Sequence, residues 1–232
     1  MLQPDQDETK LRLLNAAGEV FSEKGFQAGT IREICAKAGA NVASVNYHFG
    51  GKSGLYDALL EHCHQEGLRR HPPTVGIPED LSGRPMAVEA LAAYVRSFLK
   101  RTLGADGPGW STRLMAKEMG NPSPALERMV QSSIRPNMER LMAAVSTLMG
   151  EGATEQDVRH CALSVVGQCQ HYYRARAAIE ILFPDVTWDE HGIDILACHI
   201  VRFSLAAIRG YREAGPDGTT RLKRREGQEG QR

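Results

Sequence analysis

The chain has 232 residues, of which 28 are basic and 28 acidic, and its hydrophobic content is 42%. That is enough apolar material for one small and one larger packed unit, while a formal charge of zero excludes a protein that coats nucleic acid by bulk attraction. No run approaches the roughly eighteen apolar residues of a membrane-spanning helix, and the opening MLQPDQDETK lacks a signal-peptide core.

The five cysteines, Cys35, Cys63, Cys161, Cys169 and Cys198, are scattered and never form a CxxC pair. They read as small core residues of a reducing compartment, so a cytoplasmic protein is expected, with no metal and no cofactor.

In chain order, Leu11, Leu14, Ala17, Val20 and Phe21 recur at helical spacing over 8–25, and Gly25 suits a left-handed stop. Phe26 then packs back. Thr30 caps a second helix, with Glu33 placed to complete a capping box and Ile31, Ile34 and Cys35 facing inward. Gly39 allows the sharp turn that follows. Asn41 caps a third, short helix over 42–48, in which Val42 and Val45 can reach a core. Its other residues, Ala43, Ser44, Asn46, Tyr47 and His48, are small, polar or aromatic with a hydrogen-bonding end, which leaves the outer face to a partner.

Such a face suits a recognition helix in a DNA major groove, because short side chains permit close approach and Asn, Ser, Tyr and His can reach base edges or phosphates. The plainer alternative is a helical hairpin with a solvated face. Gly50-Gly51-Lys52-Ser53 follows, where a new helix begins with free amides beside an ammonium group, a fit for backbone phosphate.

The stretch 11–60, and within it AGANVASVNYHFGGKSGLYDALL with its HF..K..L signature, resembles the DNA-binding domain of the TetR family of bacterial repressors. The resemblance implies Thr30 and Lys52 on phosphates, with Arg32 beside them, Tyr47 and His48 at the DNA backbone, and Val42, Ala43, Ser44 and Asn46 facing the bases. Many relatives place Ser, a basic or polar residue and Gly where this chain has Asn41, Val42 and Ala43, and Tyr where it has Asn46. Asn caps as well as Ser, so the departures open the choice of bases rather than the fold.

The residues 53–70 continue as a helix carrying Leu55, Tyr56, Leu59, Leu60 and Cys63 at core spacing. His62 and His64 near its end point to different sides, which argues against a metal site. HPPTVGIPEDLSGRPM, 71–86, breaks all periodicity and reads as a linker. Helices are then expected over 85–103, 110–119, from Ser123 to Met149 with a bend at Pro136, over 154–182 and over 188–210, before a polar tail.

The fold expected is therefore all-α. An N-terminal helix-turn-helix unit covers 1–52 and a connecting helix 53–71; a linker covers 72–86, a helical effector-binding and dimerisation unit 87–212, and a disordered tail 213–232. The Met and polar-aromatic excess marks Tyr94, Phe98, Trp110, Met115, Met119, Met138, Met142, His171, Tyr172 and Arg174 as an adaptable ligand pocket, the competing reading being ordinary core. Val158, Cys161, Val165 and Cys169 with Ile195, His199 and Phe203 mark a face for a four-helix homodimer, the competing reading being the seal of the monomer core. The segments LMAKE…NPSPALERMV…IRP and GQCQHYYRARAAI are similar to a TetR subgroup with its own C-terminal domain.

No nucleotide loop, HExxH or GxSxG occurs and no catalytic residue is expected. The function expected is a ligand-responsive regulator, a repressor bound to a palindromic operator in double-stranded DNA and released by a small-molecule effector. The alternatives are a helix-turn-helix module for protein contact and a helical enzyme with an unrecognised site.

Overall fold

The computed structural model describes residues 4–74 and 83–214. Part of the expected linker and most of the expected tail therefore lie outside the described residues. Those described form helices α1 (Pro4–Ala28), α2 (Ile31–Ala38), α3 (Val42–Phe49), α4 (Lys52–Arg70), α5 (Arg84–Leu103), α6 (Gly109–Gly120), α7 (Pro124–Met129), α8 (Arg135–Met149), α9 (Glu155–Arg174), α10 (Arg176–Leu182) and α11 (Glu190–Ala214). No strand occurs among the described residues.

Local chemistry explains most helix ends. Gly25 breaks α1 at φ 77°, in the left-handed region. Thr30 closes a capping box on α2 and Thr154 closes one with Asp157 on α9. Ser123 accepts from the Ala125 amide ahead of Pro124, the first residue of α7.

Two expected long helices are each divided. Between α7 and α8, Val130–Ile134 is a π-helical turn, and the Arg135 amide reaches back five residues to the Val130 carbonyl. Pro136 has no N–H to close the next ordinary bond and its ring crowds the preceding turn, so widening the helix there relieves both. The residues expected as one helix over 154–182 break at Ala175, whose φ of −93° and ψ of 8° end α9 before α10 begins.

Two cores result. One gathers Leu91, Val95, Leu99, Leu141, Val145, Leu148, Val165, Cys169 and Ile200 from α5, α8, α9 and α11. The other gathers Leu13, Ala17, Phe21, Ile34, Val45, Leu55, Tyr56, Leu59 and Leu60 from α1 to α4, together with Trp110, Leu114, Ala125 and Met129 from α6 and α7. Two helices beyond the linker thus complete the core of the N-terminal unit.

Helix α11 corrects one expectation. Over Glu190–Arg212 it is long and apolar enough, by length and composition, to cross a membrane. Its apolar residues divide instead between an inward row, Ile193, Ala197, Ile200 and Ile208, and an outward row with Ile195 and Phe203, each 59% exposed.

Candidate nucleic-acid interface

Helices α2 and α3 meet at Gly39, which adopts φ 61° and ψ 39°, so the turn needs a residue that tolerates the left-handed region. The Ala40 amide returns to the Cys35 carbonyl at 3.0 Å. Asn41 then holds α3 by accepting from the Ser44 amide at 2.8 Å, and the Ser44 hydroxyl donates to the same Asn41 oxygen at 3.0 Å. One side of α3 is pinned by Val45, fully buried. Val42, taken above as a core candidate, is 50% exposed because the first turn of α3 projects past α2. It lies with Ala43, Asn46 and Tyr47 on the exposed face, and Ser44 and His48 are half-buried at its edges. Tyr47 is 74% exposed, an unusual position for a large ring without a partner surface.

The start of α4 leaves its backbone amides open. Gly50 and Gly51 both have positive φ, and Gly51 caps the helix without a side-chain bond. The first amides of α4 are therefore left for an outside acceptor. A Cβ at Gly54 would overlap the Phe49 carbonyl oxygen, so glycine is what lets the end of α3 sit against the first turn of α4. Lys52 donates to the Gln27 carbonyl at 3.0 Å and lies 4.9 Å above the Phe26 ring, which holds its ammonium against the end of α1 with hydrogen-bonding capacity to spare.

Thr30 is more committed than its sequence position implies. Its hydroxyl accepts from the Glu33 amide at 3.2 Å and donates to the Glu33 carboxylate at 3.0 Å. The Lys24 ammonium, followed by the Thr30 bonds, holds the Glu33 carboxyl below the usual carboxylate range. Lys24 and Lys37 pair with Glu33 and Glu19. Arg32, exposed on α2, has no carboxylate partner among the described residues. Of the nine residues expected at DNA, Thr30, Arg32, Val42, Ala43, Asn46 and Tyr47 are exposed and Ser44, His48 and Lys52 half-buried, on α2 with its cap, α3 and the start of α4.

The expected ligand-pocket residues do not come together. Trp110, Met115 and Met119 pack in the core of α1 to α4. Their helix, α6, crosses α1 where Gly18 leaves room for the Trp110 ring, and any Cβ at Gly18 would overlap it. Tyr94, Phe98, Met138, Met142 and Tyr172 belong to the other core, while His171 and Arg174 are exposed. A cavity of about 290 Å³ opens elsewhere, between the ends of α4 and α5 and the start of α6, with Arg70, Arg101, Arg113 and Tyr173 in its wall. Sequence periodicity carried no sign of it, since its cations come from four helices, α4, α5, α6 and α10.

The expected dimer residues also separate. Val158, Cys161, Val165 and Cys169 are buried within the chain, because they are the stripe of α9 that meets α5 and α8, and they are not an outer face. Ile195, His199 and Phe203 are exposed on α11, and Leu163 is 51% exposed on α9.

Comparison with known proteins places this geometry. Residues 13–59 match the model of the tetR family of bacterial regulatory proteins, and residues 87–208 match the C-terminal domain of the HTH-type transcriptional dual regulator CecR. Curated relatives include the Escherichia coli K12 regulator UidR, 27% identical over 125 residues. The chain spans 59% of that relative's length, the match covering 53% of the chain itself. The Shigella flexneri regulator CecR is 23% identical over 202 residues, covering 84% of this chain and 90% of that one. Among solved structures, a transcriptional regulator from Pseudomonas aeruginosa PAO1 superposes with a TM-score of 0.64 at 21% identity, covering 91% of this chain and 96% of that one. A tetR-family regulatory protein from Rhodococcus RHA1 gives 0.60 at 22% identity, covering 86% and 96%. At such identities the likeness is one of fold.

Proposed function

We propose, from the premise that this chain belongs to the TetR family of bacterial transcriptional regulators and carries a CecR-type C-terminal domain, that it is a homodimeric repressor released from a palindromic operator by a small-molecule effector. The observation that carries the reading is the surface of α3: a short helix fixed from behind by Val45 and from its ends by Asn41 and Gly50, with Val42, Ala43, Asn46 and Tyr47 projecting from it. In this reading Thr30, Arg32, Tyr47, His48 and Lys52 set the register on phosphates, and Val42, Ala43, Ser44 and Asn46 read bases.

One recognition helix of eight residues is too small to select a site alone, so two copies about one DNA turn apart are required. The outward row of α11, Ile195, His199 and Phe203, with Leu163 of α9, supports a dimer in which two such helix pairs form a four-helix bundle.

A mobility-shift titration of the promoter region next to the gene tests the reading over a salt series. Specific binding as a dimer, weakening steeply as salt rises, is expected. Phe203→Glu should remove the dimer and the specific shift together. Binding by the wild type no tighter to that DNA than to random duplex would overturn the proposal.

A further inference from the structure

The cavity between α4, α5 and α6 is lined by none of the methionines expected to form an adaptable apolar effector pocket, and its chemistry is different. Five basic side chains, Arg70, Lys100, Arg101, Arg113 and Arg176, line it against one carboxylate, Asp106. That carboxylate is already engaged, 2.8 Å from the His71 ring. Lys100 and Arg176 are answered by Glu190 and Glu180 outside the lining. Arg70, Arg101 and Arg113 have no carboxylate partner among the described residues.

The three are held differently. Arg70 donates to the carbonyls of Glu66, at 3.2 Å, and Asp106. Arg101 lies in the wall with its Nε 3.3 Å from the Ser97 carbonyl and its guanidinium 5.6 Å from the centre of the Phe98 ring. Its terminal nitrogens have no protein acceptor among the described residues. Burial lowers the Arg101 pKa, the sign of a cation taken from water without an anion in exchange. The start of α6 completes the wall at Gly109, Ser111 and Thr112, directing the positive end of a twelve-residue helix at the same space.

An unanswered guanidinium in a cavity, two more cations and a helix N-terminus call for an anion. We propose that this cavity is the effector site, and that it takes a small molecule bearing a dianionic group, phosphoryl or dicarboxylate, bridged by Arg70, Arg101 and Arg113. A volume near 290 Å³ stands at the lower end for ligand pockets and fits a small metabolite better than a large apolar drug.

The inference rests on the regulator reading above and adds the route from ligand to DNA. Arg70, Arg101 and Arg113 belong to α4, α5 and α6. Helix α6 packs Trp110 against Gly18 of α1, and its Glu118 accepts the Tyr56 hydroxyl of α4. An anion that draws the three arginines together therefore changes the spacing of α4 and α6, on which the DNA-binding unit is seated.

The test uses the full chain with inorganic phosphate and, separately, succinate, each compared with sodium chloride at equal ionic strength. Melting temperature and operator affinity by fluorescence anisotropy are the readouts. A saturable rise in melting temperature with at least one probe, accompanied by weaker operator binding, is expected; phosphate acting alone identifies a phosphoryl site and succinate alone a carboxylate site. Arg113→Gln, at an exposed position, should raise the midpoint roughly tenfold, Arg101→Gln should abolish the response, and Arg159→Gln, remote on α9, should leave it intact. No response beyond the chloride control with either probe, or an unchanged midpoint in Arg113→Gln, overturns the proposal. If specific operator binding persists in that case, the regulator reading stands without it; if the wild type binds no operator, that reading fails first.

Discussion

Tyr56 of α4 donates its phenol hydroxyl to the carboxylate of Glu118 on α6 at 2.8 Å, inside the core that joins the DNA-binding unit to the rest of the chain. Glu118 is 1% exposed and its other oxygen accepts from the amide and the hydroxyl of Ser123, each at 2.8 Å. Burial, reinforced by that carboxylate, drives the Tyr56 pKa above its ordinary value. The carboxylate is thus retained by three donors, and removing one leaves buried charge under-satisfied.

Tyr56→Phe should therefore cost about 1–3 kcal/mol and lower Tm by several degrees in a scan at neutral pH. Because the bond seats α4 on α6, the variant should also blunt the response of operator affinity to effector. Unchanged stability in Tyr56→Phe would show that Glu118 finds a replacement donor.

On the DNA face, Lys52→Ala and Tyr47→Ala should weaken binding to all duplexes alike, and Lys52→Ala should reduce the slope of log affinity against log salt by about one unit. Asn46→Ala should change the ranking among sequences instead, by roughly 1–3 kcal/mol at the base it reads. Binding-site selection on the variants distinguishes the two behaviours.

His64 gives a pH dependence. Burial, with the Arg101 charge adding to it, pulls its imidazole down to about 4, against the opposing effects of Glu61 and Ser133. Its Nε2 is buried without a hydrogen-bond partner. With an unfolded value near 6.5, the unfolded chain binds more protons below that pH, so stability is lost as pH falls from about 6.5 towards 4. The expected loss between pH 7 and pH 5 is about 2 kcal/mol, read from urea unfolding, and His64→Leu should remove most of it.

The cysteines provide a test of the proposed dimer. Burial pushes the Cys63 and Cys169 thiols up to about 12 and raises those of Cys35 and Cys161, whereas Cys198 is exposed on α11 near His199 and Phe203. Iodoacetamide at pH 8 should label Cys198 first. Its rate should fall as protein concentration rises through the dimerisation range, and Phe203→Glu should abolish that concentration dependence.

The parts legible in the residues are those governed by neighbours a few positions away. Thr30 and Glu33 cap one another, Asn41 holds Ser44, and Gly25 and Gly39 need the left-handed region; such contacts span at most four residues, so the order of residues is enough to fix them. The helix-turn-helix, its exposed face and the all-helical class follow from those signals together with the periodicity of Leu14, Ala17, Val20 and Phe21; Leu11, expected in the same row, is 47% exposed, and Leu13 is buried in its stead. Periodicity states that a residue is inward but not against which neighbour. Trp110, Met115 and Met119 were inward as expected, yet they join the core of α1 to α4, Trp110 against Gly18, away from the other expected pocket residues. Cys161 and Val165 were likewise inward, towards α5 and α8 rather than towards a second chain. The cavity shared by Arg70, Arg101 and Arg113 depends on helix ends distant in sequence meeting in space. Glu180 answers Arg176 one turn away within α10, but only packing brings Glu190 to Lys100, 90 residues distant, and leaves those three arginines together and unanswered.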